Sequence, residues 1–460
     1  MEINLPKGTH DVIKDEARAY DHIENVLQTL ASYYGFSPMR TPIFEHTELF
    51  SRSVGDSSDI VRKEMYTFTD KGNRSITLRP EITAGVMRSI ITNKLYATED
   101  LPIKAYYLGP TFRYERPQQG RFRQFNQFGV EAVGVSSPYS DAETVLLGVY
   151  ALKMLGFENV TLKINTLGDE ESRNQYKLAL KEFFKVKLEH MCGDCHARYE
   201  TNPLRMLDCK VPEDQKIVEE APKMRDFLSE KAKSEFLMIQ DILDSFDIPY
   251  TIDDNLVRGL DYYSNLVFEF HYTSKLGKDY GAIGAGGHYD RLLQDIGGPA
   301  LAGVGFAFGI ERIYAVMRDD GLFEDEKESV DFYVMPMGEA ARIDGFSLAH
   351  ALRNSGLTTE ICYEEKSFKQ LFKKAEKKGA KFALIIGEDE VKNEEVTVKN
   401  LKTEEQFKVS YQEIVHKAFH LVDEGDGHDH GGESCHCHDG ECDCEHEDEG
   451  HTCRCDHHHE

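Results

Sequence analysis

Arg113, Gln127 and Glu131 fall in two runs of alternating apolar and polar residues, 106–114 and 124–133, with Glu115 directly after the first, joined by a stretch rich in Pro, Gln, Gly and Arg. The pattern predicts a long hairpin. Side chains alternate between the faces of a strand, so Arg113 with Glu115, and Gln127 with Glu131, project from one side of the sheet. The joining stretch adds Arg116, Arg121 and Arg123, more cations than a tight turn needs. Guanidinium forks grip phosphate bidentately, which makes a polyanion held over a sheet floor the economical reading. The alternative is a solvated hairpin carrying surface ion pairs.

Three other stretches carry polar groups where a core would be apolar. In 256–270, Arg258, Asp261, Tyr262 and Tyr263 interrupt an apolar run, which predicts a strand pair facing a polar pocket. In 301–312 a strand of alternating small residues passes through Gly309 into a helix with Arg312 in its first turn. A cation there opposes the helix dipole, so an anion is expected beside it. Glu81 and Thr83 sit where a strand becomes a helix, either as ligand-binding groups or as an ordinary acidic helix start. Residues 284–290, GAGGHYD, are expected to form a flexible glycine loop, a weak phosphate signal because no clear helix follows.

The elements that position these residues follow from periodicity. Residues 17–34 repeat apolar side chains at helical spacing up to Gly35, and Pro38 and Pro42 then demand an extended edge strand or a subunit boundary. A strand pair turns at 70–73, and its second strand leads into a helix from 84 to 95. Helix 141–155 and strand 160–165 come next, and a helical, charged insertion runs from about 170 to 245. Beyond the acidic linker 324–328 the order is strand, helix, strand, helix, three strands and a last helix, 411–420. Helix 367–378 buries Phe368, Leu371, Phe372 and Ala375. Its exposed side carries Lys373 and Lys377 among other lysines, a solvated face or one that touches a nucleic-acid backbone.

Composition limits the rest. No apolar run reaches the ~18 residues a membrane helix needs, and the start MEINLPKGTHDVIKDEAR lacks a signal peptide's apolar centre, so a cytoplasmic location is expected. The net charge is -27, of which residues 423–460 hold 14 carboxylates against one arginine. A charged tail leaves a basic groove elsewhere possible. Six of the ten cysteines also lie there, and the remaining four in so long a body do not suggest a disulfide scaffold. The tail's Cys435, His436, Cys437, His438, Cys442, Cys444, Cys453 and Cys455 are soft and imidazole ligands in a segment too polar to fold alone. It is expected to bind Zn²⁺ or a similar thiophilic ion. Cys192-x2-Cys195 with Cys209 has only partial zinc spacing, and reduced thiols are expected there.

Pro42, Phe112-Arg113-Tyr114-Glu115 and Gly309-Ile310-Glu311-Arg312 resemble the three signature motifs of class II aminoacyl-tRNA synthetases. LRPE at 78–81, QFNQFGVE at 124–131 and RGLDYY at 258–263 narrow the resemblance to the histidyl-tRNA synthetase family, over about residues 5–419. It implies an α+β fold: an antiparallel sheet flanked by helices in residues 1–325, and a smaller α/β anticodon-binding domain at 331–420. The tail, 421–460, has no counterpart in that plan, and Ile82 stands where the family commonly has glycine. The resemblance implies that Arg113 and Arg312 hold the α- and γ-phosphates of ATP, brought in with Mg²⁺. Arg258 faces the α-phosphate from the other side, Phe125 stacks on adenine, and Glu115 lies nearby. Glu81, Thr83 and Gln127 orient the amino and carboxyl groups of L-histidine. Glu131 and Tyr263 bond its two ring nitrogens, and Tyr262 lines the pocket. Arg121 and Arg123 lie near the acceptor end of tRNA(His), Lys373 and Lys377 against its backbone, and the chain is a homodimer. A non-catalytic relative, the regulatory subunit of ATP phosphoribosyltransferase, resembles the same fold but lacks the anticodon domain and active-site residues.

Overall fold

The computed structural model describes residues 3–55, 58–98, 100–117, 120–323 and 329–425. The metal-ligand candidates of the tail, 435–455, lie outside the described residues. The chain divides into two units, 1–325 and 326–460.

In the first unit, short strands β1 (Ser37–Pro38), β2 (Phe44–His46), β3 (Tyr66–Thr69) and β4 (Ser75–Leu78) precede the hairpin β5 (Ile103–Phe112) and β6 (Gln124–Val133). Strands β7 (Val160–Thr166), β8 (Tyr250–Ile252), β9 (Ser264–Thr273), β10 (Asp279–Tyr289) and β11 (Gly303–Gly309) follow. Eight of them form one sheet in the order β1-β5-β6-β11-β10-β9-β7-β8. Its centre is antiparallel throughout; the short edge strands β1 and β8 pair parallel to their neighbours. Pro38 therefore lies at an edge, where a missing N–H leaves no ladder bond unmade. β2, β4 and β3 make a separate small sheet.

The alternation of GVGFAFG along β11 explains the two faces of the large sheet. Phe306 and Phe308, with Phe128, Phe268 and Phe270, enter the core against helices Asp15–Tyr33, Pro138–Met154 and Ile310–Asp320. On the opposite face, cross-strand rows of small residues are left: Glu131 pairs with Gly305, and Gly305 with Gly287. These glycines serve contact rather than flexibility. The expected glycine loop at 284–290 is instead the central strand β10. A Cβ on Gly284 would stand 2.1 Å from Phe308 Cδ1, and one on Gly287 would stand 2.7 Å from the Leu266 carbonyl. The expected strand pair at 256–270 is also corrected. Only Ser264 onward joins the sheet, and 256–263 is an irregular segment that carries its polar side chains over the sheet.

The insertion is helical, with Glu170–Lys185, Gly193–Thr201, Pro212–Glu219 and Glu230–Ser245 as its main helices. Ile82 is 1% exposed in the apolar layer beneath it, with φ -105°, a value that any residue adopts without strain. In the second unit, β12 (Phe332–Pro336), β13 (Thr359–Ile361), β14 (Phe382–Ile386), β15 (Glu395–Asn400) and β16 (Gln406–Ser410) form a five-stranded mixed sheet with helices Ala341–Asn354, Phe368–Lys377 and Tyr411–Gly425. A short helix, Glu388–Asn393, lies between β14 and β15, where the sequence pattern gave only strands.

One buried ionic cluster ties the sheet to its helices. His288 on β10 lies 2.9 Å from Asp141 of helix Pro138–Met154 and 3.1 Å from Asp290. Burial works against the imidazolium, but the two carboxylates outweigh it and hold the pKa at about 10. The folded value lies above the ordinary ~6.5, so this contribution to stability is full below pH ~6.5 and is lost as pH rises toward 10. His288→Leu leaves Asp141 buried without its cation. It is expected to lower the unfolding free energy by about 3–5 kcal/mol at pH 7, read from urea unfolding, with the deficit shrinking at alkaline pH.

Candidate active site

Arg113, Arg258 and Arg312 come from three distant parts of the chain and line one cavity of about 310 Å³. Each reaches it by a different route. Arg113 follows the end of β5, where its Nε donates to the Pro80 carbonyl at 2.8 Å and its guanidinium stands 5.4 Å from the Phe125 ring centre. Arg258 leaves the irregular segment before β9 and pairs with Glu269 on that strand. Arg312, in the first turn of helix Ile310–Asp320, donates to the Ala282 carbonyl and has no carboxylate partner among the described residues.

Charge is balanced unevenly around this wall. Burial, with the Arg121 cation beside it, pulls the Arg312 pKa down to about 10. Burial also works against Arg258, but the Glu269 carboxylate more than offsets it and raises the pKa. Glu269 is itself held low by His271, 2.7 Å away, and by Arg258, against the effect of burial. Glu115 lies 3.9 Å from Arg113 and 3.6 Å from Arg121. The cavity floor is Ile283, Gly284, Ala285 and Ala307, with Phe125 and Gln127 beside it. It continues into a larger cleft that shares Arg121, Arg258, Glu269 and Arg312 and runs to Leu207, Cys209 and Gln215 of the insertion.

Glu81 and Thr83 both sit at the helix start Thr83–Thr92 and are both buried. Glu81 Oε1 accepts from the Ala84 N–H at 2.9 Å, whereas Glu81 Oε2 and Gln127 Oε1 are buried acceptors with no donor among the described residues. Burial raises the Glu81 pKa. Unpaired buried acceptors are uncommon, and that of Gln127, on the cavity wall, calls for a polar or cationic ligand.

Glu131 is fully engaged. It accepts from Thr83 at 2.7 Å, from Tyr107 at 3.2 Å and from Tyr289 at 2.8 Å. Burial pushes its pKa up to about 8, although all three hydroxyls pull the other way. A Cβ on Gly305 would stand 2.0 Å from Glu131 Oε2, so the carboxylate's place depends on that glycine. Tyr262 and Tyr263 lie tilted against each other with ring centres 4.5 Å apart, Tyr262 meets Tyr289 edge-on at 5.8 Å, and Arg258 lies 5.9 Å from the Tyr263 ring centre. Neither Glu131 nor Tyr263 lies on the cavity wall; both belong to the buried layer beside it.

The arginine-rich stretch separates into unlike members. Arg121 is half exposed and lines the cavity, whereas the Arg123 guanidinium lies 3.9 Å from the Tyr114 ring centre and its backbone N–H donates to the Gly8 carbonyl. In the second unit, Lys373 and Lys377 are exposed and form no ion pair among the described residues, whereas Lys374 and Lys378 pair with Glu364 and Glu360.

Several supports were not singled out from sequence. Glu311 accepts from the Asn126 backbone N–H at 2.8 Å and from its side chain at 3.1 Å, clamping the Phe125 strand to the Arg312 helix. Burial raises its pKa to about 7 against those donors. Arg79 reaches the carbonyls of Pro110 and Thr41, bracing the Pro42 segment. Glu269, Tyr107 and Tyr289 belong to the same set. A charged or phenolic residue at every second position of a strand was the available signal.

A glycine-paved antiparallel sheet with cations gathered over it from a hairpin, a loop and a helix start is the catalytic architecture of class II aminoacyl-tRNA synthetases. The model of the histidyl-tRNA synthetase family matches residues 8–313, and that of the anticodon binding domain matches 331–418. Histidine-tRNA ligase of Anoxybacillus flavithermus is 43% identical over 425 residues, covering 92% of this chain and all of that protein. That of Bacillus subtilis is 44% identical over 419 residues, 90% of this chain and 98% of that one. The crystal structure of apo S. aureus histidyl-tRNA synthetase superposes with a TM-score of 0.78 at 37% identity, covering 90% of this chain and 99% of that one. The chain belongs to the histidyl-tRNA synthetase family, and it is an ATP-binding ligase of protein biosynthesis. The family's partners are tRNA(His), histidine and ATP.

Proposed function

We propose that the chain ligates L-histidine to tRNA(His) through a histidyl-adenylate. The observation that carries this reading is the convergence of Arg113, Arg258 and Arg312 on one cavity that Gln127, with its unpaired acceptor, also lines. A histidine carboxylate oxygen attacks the α-phosphorus of ATP, the bond to the β-phosphate oxygen breaks, and diphosphate leaves. A terminal ribose hydroxyl of the tRNA then attacks the acyl carbon and AMP leaves. The carboxylate is already ionised at neutral pH, so the first step needs no general base. It needs alignment and cations where phosphate charge grows.

Arg113 and Arg258 would take the α-phosphate from two sides and Arg312 the γ-phosphate, with adenine on Phe125. Glu81 and Gln127 offer their bare oxygens to the amino group, and Glu131 and Tyr263 read the imidazole. Mg²⁺ arrives on the ATP phosphates, and Glu115 and Glu269 are cavity-wall carboxylates suited to it. Arg121 lies where an acceptor strand would approach, and Lys373 and Lys377 would meet the tRNA backbone. The regulatory-subunit alternative is disfavoured by the matched anticodon domain and by the ligase relatives. The Bacillus halodurans C ATP phosphoribosyltransferase regulatory subunit/histidyl-tRNA synthetase shares the fold alone, with a TM-score of 0.59 at 20% identity. The exposed apolar side chains of Ile43, Phe44 and Phe68 beside Pro42 support a homodimer, and a sedimentation mass of one chain would refute it.

Exchange of labelled diphosphate into ATP, dependent on histidine, tests the first step. Arg258→Ala is expected to lower kcat by about 10²–10³-fold, equal to ~3–4 kcal/mol of transition-state stabilisation, with a smaller change in KM for ATP. No exchange in the unaltered protein would end the proposal. The pKa of about 8 at Glu131 sets a second expectation. The ionised carboxylate is the stronger acceptor for an imidazole N–H, so kcat/KM for histidine is expected to rise with pH up to about 8 and then level. Glu131→Gln removes that limb and costs about 10–100-fold, leaving only the limb near ~6.5 of histidine's own ring.

A further inference from the structure

Cys192, Cys195, Cys209 and Asp214 were not expected to act together, yet the insertion folds them into one cluster. One ligand atom from each lies within 4.8 Å of the others. The cysteines are free, Cys195 and Cys209 are buried, and Asp214 is only 1% exposed. The sequence offered three thiols without a fourth partner. Asp214 supplies it from the first turn of helix Pro212–Glu219, five residues after Cys209.

Two of the separations come close to the edges of a tetrahedral cage. Cys192 Sγ and Cys209 Sγ are 3.8 Å apart, and Cys209 Sγ is 3.2 Å from Asp214 Oδ2. With Zn–S of about 2.3 Å and Zn–O of about 2.0 Å, tetrahedral edges come to roughly 3.8 Å for S···S and 3.5 Å for S···O. Asp214 has no Lys, Arg or His partner within ion-pair distance among the described residues; its oxygens accept the Cys192 N–H at 3.1 and 3.2 Å. The Cys209 thiol also donates to this carboxylate, and a divalent cation at the same place would displace that proton and pair with both groups. Thiolate-rich sets with one carboxylate suit a soft or borderline divalent ion.

We propose that Cys192, Cys195, Cys209 and Asp214 bind one Zn²⁺ as a structural centre of the insertion that also positions the loop bearing Arg258. The segment closed by this cage carries Asn202, which donates to Asp261 at 3.0 Å, and Arg205, which donates to the Gly259 carbonyl at 2.9 Å. Those contacts grip Gly259 and Asp261 within the Arg258-to-Tyr263 segment, and Cys209 itself borders the same cleft as Arg258. The ion therefore fixes the segment that holds the loop, without touching substrate. This positioning role rests on the active-site reading above; the metal site does not.

The test uses the full chain with Cys435, Cys437, Cys442, Cys444, Cys453 and Cys455 changed to Ser, so that tail thiols contribute nothing. Metal-free protein of this kind is titrated with Co²⁺. The expected result is one ion per chain, with thiolate-to-cobalt charge-transfer absorption and tetrahedral ligand-field bands, both erased by one equivalent of Zn²⁺. Cys195→Ser and Asp214→Asn are each expected to weaken Zn²⁺ binding by more than the roughly 10–100-fold typical of losing an outer partner. Absence of thiolate charge transfer at one equivalent overturns the site, as does a Cys192–Cys209 disulfide found by thiol counting. The parent titration decides this even where a variant fails to fold. Removal of Zn²⁺ is expected to lower kcat for diphosphate exchange about tenfold with little change in KM for ATP, and Zn²⁺ to restore it. Equal kcat with and without bound ion overturns the positioning role.

Discussion

Gathering guanidinium groups around one low-dielectric cavity is the constraint on which this structure depends. Like charges so placed repel, and burial makes each cation harder to hold, as the lowered pKa of Arg312 records. The fold meets this with rigid anchors rather than with full neutralisation. Arg113 is held by the Pro80 carbonyl, with Glu115 3.9 Å away, and Arg312 by the Ala282 carbonyl, while Arg258 pairs closely with Glu269. A field left uncompensated at fixed points is what favours a triphosphate, because no dipoles must reorient when charge shifts during reaction.

Much of this was legible in the sequence because it follows a period of two. The alternation in 124–133 set Gln127 and Glu131 on one face, and the small residues of 301–309 announced a strand over which a flat ligand could lie. The hairpin, the Arg312 helix and the order of elements in the second unit all emerge near their expected bounds. The mistaken loop at 284–290 has a plain cause. Glycine is common both where chain must bend and where another group must come close, and only the Phe308 and Tyr263 rings, distant in sequence, decide between them.

What sequence did not disclose is mostly the second partner of each pair. Glu131 is set by Tyr107 and Tyr289, which lie 24 and 158 residues away. Glu311 is tied to Asn126 across 185 residues. Asp214 joins three thiols without matching any paired-cysteine spacing. Arg123 belonged to the same run of cations as Arg121, yet it is consumed in packing on Tyr114. Pattern tells which residue types are out of place in a core; the topology decides what they meet.

On the proposed reading, recognition of a side chain as small as imidazole depends on the same sheet. Gly305 lets the Glu131 carboxylate lie against the floor, and Gly287 admits the Tyr263 ring, each where a Cβ would collide. A buried polar reader of this kind rejects apolar isosteres strongly, because they leave its groups without partners. The hydroxyls that surround Glu131 take a further part. Thr83, Tyr107 and Tyr289 hold the carboxylate in one orientation, so that a bound ring meets a fixed acceptor instead of a rotating one. In the proposed reaction, selectivity for the amino acid and acceleration of its activation would thus share one physical device, polar groups immobilised before the ligand arrives.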